Sequence, residues 1–344
     1  MTDINSTAFS FVPFTARSEQ EQRIITEYIE SGAGDGGTVR ANEAAWSRFS
    51  IIPRVLRTSG LGDTTVRLLG QSWASPVVVA PSIGHGFFAA DAEVATARAA
   101  VAAGSPVALS HGAAAAIEDV AQIASPYLQQ VYVPKDRAAV VPFIERSAAA
   151  GAAAFLITVD NQAPGGHAPY RTNAHSLVNA LIRDTASRGI ESGLANDLSI
   201  RDIEWFASLT DVPILAKGVL DARDARDIVN AGAAGVVVSN HGGRQVERSV
   251  TAADVLADIR AAVGPESILL ADGGIRRPSD VFVALALGAD AVLVGRPVLR
   301  ALQHGGEQAL TKYLREIRDD LAELLASAGR QSLSDIGSDA IRLT

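Results

Sequence analysis

Residues 267–296 read SILLADGGIRRPSDVFVALALGADAVLVGR. An apolar run ends at Asp272-Gly273-Gly274, a stretch with helical spacing follows from Pro278 to Gly288, and a second apolar run ends at Gly295-Arg296. Runs that are continuously apolar suit strands buried on both faces, as in a parallel sheet. The segment therefore reads as strand, helix, strand, and the pattern recurs upstream. Strand-like runs lie at 76–81 (PVVVAP), 106–110 (PVALS), 128–133 (LQQVYV), 153–160 (AAFLITVD), 212–218 (VPILAKG) and 234–240 (AGVVVSN); with 267–274 and 289–296 they make eight. Helical stretches lie near 91–103, 116–124, 136–150, 201–208, 221–231, 251–262 and 278–288, with a last one at 306–328. Eight such units in one run predict an α/β fold, a (β/α)8 TIM barrel rather than an open doubly wound sheet. No G-x-G-x-x-G follows the first run, which counts against a dinucleotide-binding domain.

The chain, residues 1–344, is expected to form a single barrel domain with two additions. Residues 1–75 are an N-terminal helical extension, with a helix from Ser18 to Ser31 and then irregular chain to Trp73. Residues 161–200 are a long polar, glycine-rich loop after the fourth strand. On a barrel such a loop opens on the C-terminal face, where active sites are built, so it is expected to serve as an active-site loop.

The formal net charge is −8 and there is no basic run, so no nucleic-acid partner is expected. The absence of cysteine excludes disulfides, thiolate metal sites and cysteine nucleophiles. The N-terminus has no basic region ahead of an apolar one, and the apolar runs are far shorter than the ~20 residues that span a bilayer. The C-terminus, AIRLT, carries no lipidation or peroxisomal signal, so a cytoplasmic protein with no membrane partner is expected.

Nearly every strand candidate ends in a hydrogen-bonding or ionisable group: Pro81-Ser82, Ser110-His111, Gln130 and Tyr132, Thr158 and Asp160, Lys217, Ser239-Asn240-His241, Asp272, and Gly295-Arg296. Stability alone gives no reason for polar residues at one end of all the strands, so a single site assembled from them is expected. Lys217 sits inside an apolar strand, and a buried ammonium needs an anionic partner: a carboxylate, a phosphate, or a cofactor that becomes anionic. In VVVSNHGGRQ (236–245) a buried run delivers His241 and Arg244 into a glycine turn, which points to catalysis. Gly273, Gly274, Arg276, Gly295 and Arg296 have the makings of a phosphate corner after the last two strands, for a substrate or a cofactor.

Taken together, LAKG, SNHGGRQ, ADGGIRRPSDVFVALALGADAVLVGRP and QQVYVPKDR resemble the FMN-dependent 2-hydroxy-acid oxidase and dehydrogenase family, from about EYIESGA (27–33) to the final helix. The resemblance implies FMN across the barrel mouth, its phosphate against Gly274, Arg276, Gly295 and Arg296, with Gly273 among the cofactor-binding residues. It implies flavin contacts from Pro81, Ser82, Ile83, Ser110, Gln130, Thr158 and Ser239, with Asp272 near the ribityl chain. Lys217 would lie beside the part of the flavin where negative charge develops. His241 would be the base, Asp160 its carboxylate partner, Arg244 the clamp on the substrate carboxylate, and Tyr28 and Tyr132 the pocket tyrosines. The implied reaction is oxidation of a 2-hydroxy acid to the 2-oxo product, hydride or its equivalent passing to flavin N5. An imidazole exchanges protons near neutral pH, which suits the base. The implied partners are a small-molecule substrate and oxygen or another soluble electron acceptor, in a homo-oligomer, a tetramer as is common in the family.

Three departures bear on the substrate. Where the family loop reads T-V-D-x-P-x-x-G-x-R, with the arginine a second carboxylate clamp, TVDNQAPGGHAPYR places His167 at that position and Arg171 four residues later. LSHG stands where the family has an LSSW-like segment, so Gly112 replaces a bulky wall residue and His111 is new. PSIGHGFF places a further new histidine, His85, after the first strand. His85, His111 and His167 are expected around the mouth, without metal spacing among them. A bulky 2-hydroxy acid or a carboxylate-masked derivative is therefore the expected substrate. The alternatives are an FMN-dependent isomerase or other non-redox flavin barrel, or a catalytically degenerate flavin-binding protein.

Overall fold

The computed structural model describes residues 12–161 and 193–344. Eight parallel strands form the central sheet: β1 (Val77–Val79), β2 (Ala108–Leu109), β3 (Tyr127–Tyr132), β4 (Ala152–Thr158), β5 (Ile214–Val219), β6 (Gly235–Val238), β7 (Ile268–Ala271) and β8 (Ala291–Val294). Neighbours run in the order β1-β8-β7-β6-β5-β4-β3-β2. The parallel bridge between Val79 and Val107, with Val79 N–H donating to Pro106 O at 2.9 Å, joins the two ends into a barrel. This is the expected (β/α)8 fold.

The barrel has two faces of different chemistry because strand side chains alternate. Val78, Ala108, Leu128, Leu156, Leu215, Val237, Leu270 and Leu293 pack inside it as one apolar cluster. Val66 and Leu68, from the hairpin Val66–Leu68 and Gln71–Trp73, pack into the same cluster. Two residues further along the strands, the inward positions become polar: Ser110, Gln130, Thr158, Lys217, Ser239 and Asp272. The outward residues of the strands join the larger core with the surrounding helices.

The extension departs from expectation. After helix α1 (Glu19–Glu30), flanked by Ser18 and Ser31 as caps, the chain forms a second helix, α2 (Gly37–Trp46), where irregular chain was predicted. A glycine-rich entry and an Asn-Glu-Ala-Ala core gave little amphipathic signal there. α2 instead earns its place by tertiary contact: buried Trp46 donates from Nε1 to Gly273 O at 2.8 Å, and Asn42 pairs through both amide groups with Asn240 at 2.8 and 2.7 Å. The final helix also begins earlier than predicted, running from Arg296 to Ser327 with a break at Gly305-Gly306. It starts at the end of β8 with Pro297 in its first turn, a position where proline's missing N–H is no loss.

Gly274 ties these parts together. Its φ is +83°, and a Cβ there would lie 2.1 Å from Asn42 O on α2. Gly274→Ala is therefore expected to lower the stability of the FMN-free protein by about 1–3 kcal/mol through strain and overpacking, measured by urea unfolding.

Candidate active site

At the C-terminal ends of the strands lies a cavity of about 340 Å³. Its wall collects residues from every barrel strand end and from α1. Of the residues singled out in the sequence, Tyr28, Pro81, Ser82, Ile83, Ser110, Gln130, Tyr132, Thr158, Lys217, His241, Arg244, Asp272, Gly273, Gly274, Arg276, Gly295 and Arg296 line it. Asp160 and Ser239 are not on the wall; they stand against residues that are. His167 and Arg171 lie outside the described residues.

His241 and Gly242 both adopt left-handed backbone, with φ of 58° and 63°. For a non-glycine residue this is a strained conformation, of the kind that clusters at functional sites. The turn is held by Asn240 Oδ1, which accepts from Gly243 N–H at 2.9 Å, and by Ser239 Oγ, which accepts from His241 N–H at 3.0 Å. His241 Nδ1 lies 3.1 Å from Asp160 Oδ1. Burial by itself would raise the Asp160 carboxyl, but His241 and then Lys217 beside it hold it below the ordinary aspartate value. An ionised carboxylate only accepts, so Nδ1 carries the hydrogen, and in the neutral ring Nε2 is the acceptor. Gly218 makes this pairing possible: a Cβ on it would fall 2.4 Å from the Asp160 carboxyl carbon.

Lys217 has the carboxylate partner that its burial demanded. Its Nζ is 2.8 Å from Asp272 Oδ2 and donates to Ser239 Oγ at 2.9 Å. Desolvation pulls the ammonium down, yet Asp272 and Asp160 more than offset this and hold it above the ordinary lysine value. A fixed positive charge therefore faces the cavity. Beside it, Gln130 Oε1 accepts from His111 N–H at 2.9 Å while Nε2 donates to Thr158 Oγ1 at 2.8 Å, which fixes the amide's orientation.

Arg244 and Arg296 both point at the C-terminal end of α1. Arg244 Nη1 donates to Tyr28 O at 2.7 Å and Ser31 O at 3.2 Å, with its guanidinium over the Tyr28 ring. Arg296 donates to Ile29 O, Ser31 O and Gly242 O at 2.9, 3.0 and 2.9 Å. Helix-end carbonyls lack intrahelical partners and carry partial negative charge, so they suit cations. Burial, with Arg244 and Arg276 nearby, pulls the Arg296 guanidinium down to about 10. An anion among these arginines would relieve that repulsion.

Two buried atoms on the cavity wall, Asp272 Oδ1 and Arg276 Nε, have no hydrogen-bond partner among the described residues. Buried polar groups are almost always paired, so each calls for a ligand: an acceptor at Arg276 Nε and a donor at Asp272 Oδ1. A phosphate supplies the first and a polyol hydroxyl the second. The residues present therefore fit FMN, whose phosphate and ribityl chain carry both groups.

Two expectations are corrected. His85 and His111 do not line the mouth. His111 is completely buried, stacks on Phe143 with ring centroids 4.1 Å apart, and accepts at Nδ1 from Tyr132 N–H at 2.9 Å. It follows inward-facing Ser110 and so faces outward, toward the helices; strand alternation carried that signal. His85 is 2% exposed and sits behind Ser82. Residues the sequence did not single out include Asn42 and Trp46, which hold the turns at Asn240 and Gly273 from α2; nothing local in the sequence marks them. Gly112, expected as a gap in the wall, does line the cavity.

The profile of the family described as FMN-dependent dehydrogenase matches residues 17–343. Glycolate oxidase 1 of Oryza sativa subsp. indica is 38% identical over 332 residues, 91% of this chain and 90% of that one. A soluble mutant of the membrane-associated (S)-mandelate dehydrogenase from Pseudomonas putida superposes with a TM-score of 0.87 at 27% identity, over 94% of this chain and 95% of that one. A mandelate oxidase variant solved with 2-hydroxy-phenylacetamide gives 0.82 at 31% identity, over 94% and 96% of the two chains. With the family profile and a 38% identical relative both spanning nearly the whole chain, this protein belongs to the FMN-dependent dehydrogenase family and is an oxidoreductase whose cofactor is FMN.

Proposed function

We propose that the cavity oxidises the carbinol carbon of a 2-hydroxy acid, or of its amide or ester, to the 2-oxo product. The observation that carries this reading is the His241–Asp160 pair, which leaves Nε2 as the proton acceptor on the wall shared with Lys217 and Arg244. The oxidation removes two electrons and two hydrogens from the H–C–O–H unit. His241 Nε2 takes the hydroxyl proton as the C=O bond forms, and Asp160 stabilises the imidazolium that results. Bound FMN would supply the acceptor for the two electrons and the second hydrogen. Lys217, kept charged by Asp272 and Asp160, places positive charge where negative charge accumulates. Arg244, Tyr28 and Tyr132 orient the carbonyl end of the substrate. Gly273, Gly274, Arg276, Gly295 and Arg296 hold the phosphate, Asp272 the ribityl chain, and Pro81, Ser82, Ile83, Ser110, Gln130 and Thr158 the ring; Ser239 acts through Lys217.

The same cavity supports a large or carboxylate-masked substrate. Arg244 Nη1 is already committed to α1 carbonyls, and Gly112 leaves the wall open where the family motif has bulk. The neighbour solved with a 2-hydroxy amide supports the same class. That relatives are named oxidases supports oxygen as the electron acceptor. The relatives named above are oxidases and a dehydrogenase, which supports oxidation over the isomerase reading, and the intact His241–Asp160 pair counts against a degenerate site.

His241→Gln is expected to lower kcat/KM by about 10²- to 10⁴-fold while the bound-flavin spectrum stays, checked by steady-state assay and absorption. Arg276→Ala is expected to raise the Kd of FMN by roughly 10- to 100-fold, the loss of a charge-assisted contact, read by flavin fluorescence on the apoprotein. In an anaerobic flavin-bleaching screen, 2-hydroxy-phenylacetamide should exceed glycolate in the second-order rate constant of flavin reduction by about 10-fold or more, because a small acid underfills the pocket. Equal efficiency on glycolate would sink the substrate assignment and leave the redox assignment standing.

A further inference from the structure

Behind the wall segment Pro81-Ser82-Ile83 stands a buried polar chain that the reaction scheme leaves unused. Ser82 Oγ lies 3.0 Å from His85 Nε2, and His85 Nδ1 lies 2.7 Å from Thr96 Oγ1 on helix α3 (Glu93–Ala103). His85 and Thr96 are 2% and 1% exposed. Glu93, also buried, accepts from Ala114 and Ala115 N–H at 3.0 and 2.9 Å and so anchors the loop that carries Gly112. Burial holds the His85 imidazole below the ordinary histidine value, and the Glu93 charge and a contact with the Ser82 backbone oppose this without overcoming it. The ring is therefore neutral, with one donor and one acceptor nitrogen.

The direction of the chain follows from satisfaction of its hydrogens. Thr96 Oγ1 makes one side-chain hydrogen bond among the described residues, to His85 Nδ1. A hydroxyl hydrogen buried this deeply needs an acceptor, and Nδ1 is the one in reach. Nε2 then carries the ring hydrogen and donates to Ser82 Oγ. The Ser82 hydrogen is turned away from His85, and Ala80 O at 3.5 Å is a long partner for an O–H donor, so the cavity is its better outlet.

We propose that His85 is a positioning residue: donating from Nε2, it makes Ser82 a polarised hydrogen-bond donor aimed into the cofactor cavity, in a relay that starts at Thr96 Oγ1. Successive hydrogen bonds of one sense polarise one another, so Ser82 donates more strongly than an isolated serine. This inference rests on the assignment of the cavity to FMN. It gives a role to one of the residues by which the chain departs from its family's motif.

The test titrates apoprotein with FMN and records the absorption spectrum of the bound flavin, without turnover. Ser82→Ala and His85→Phe should each raise the Kd of FMN by about 3- to 10-fold, the worth of one hydrogen bond, and displace the flavin band in the same direction. The Ser82→Ala/His85→Phe double variant should bind within about 2-fold of Ser82→Ala, because residues acting through one contact are not additive. His85→Gln, which retains a side-chain donor, should restore binding to within about 3-fold of the unaltered protein. Thr96→Val should shift Kd and spectrum in the same direction as His85→Phe but by a smaller factor, since His85 Nε2 can still reach Ser82, and it takes that variant's place where the latter does not fold. An unchanged Kd and spectrum in His85→Phe or Thr96→Val, or a double variant showing the product of the single effects, would overturn the relay. Failure of the unaltered apoprotein to take up FMN would instead overturn the cavity assignment, and the relay with it.

Discussion

The docking of the α1 C-terminus against two arginines is the contact on which the site depends. α1 carries Glu19 and Glu21 in its first turn and no basic residue in its last, so its own sequence leaves the negative end of the dipole uncompensated. Arg244 and Arg296, from the ends of two different barrel strands, supply that charge. In doing so they bring Tyr28 onto the cavity wall and convert an N-terminal extension into part of the mouth. Arg296 is pulled down to about 10 by its burial first and then by the like charge of Arg244 and Arg276 held beside it, which is why an anion is favoured there. One helix end thus fixes one wall of the cavity and gathers two of its arginines.

A second constraint lies inside the barrel. Its lower interior is closed by apolar side chains, including Val66 and Leu68 from a hairpin, while the layer above is polar on the six strands β2 to β7 and carries Ala80 and Gly295 at the ends of β1 and β8. Those polar groups are paired sideways: Ser110 with Gln130, Gln130 with Thr158, Lys217 with Ser239 and Asp272. Pairing makes their burial tolerable and fixes which atoms are left for a ligand. Asp272 illustrates the result, with one oxygen committed to Lys217 and the other buried without a partner among the described residues.

Much of this was legible in the sequence, for reasons that differ by element. The strands were readable because a run buried on both faces must be continuously apolar, as in VVV at 236–238. Lys217 was readable because an ammonium inside such a run demands a partner, although the partner's identity, Asp272, lies 55 residues away in sequence (272 − 217). α2 was not readable, since its place is set by Asn42 and Trp46 reaching residues about 200 positions distant rather than by a marked apolar stripe. The early start of the final helix was hidden by Gly305-Gly306, which read as a boundary and proved to be a break within one element.

The sequence by itself determined the alternation of strands and helices, the glycine turns, and the chemical inventory at the strand ends, because burial and backbone sterics act on each segment locally. Only the tertiary structure decided which groups face one another. His85 and His111 were expected at the mouth and instead face away from it, one behind Ser82 and one against Phe143. Asp160 was placed behind His241 by the space that Gly218 leaves, and Arg244 on Tyr28 by a fold that brings together residues 216 apart. Strand parity, barrel closure and helix docking set these directions, and each is a property of the assembled chain rather than of any one segment.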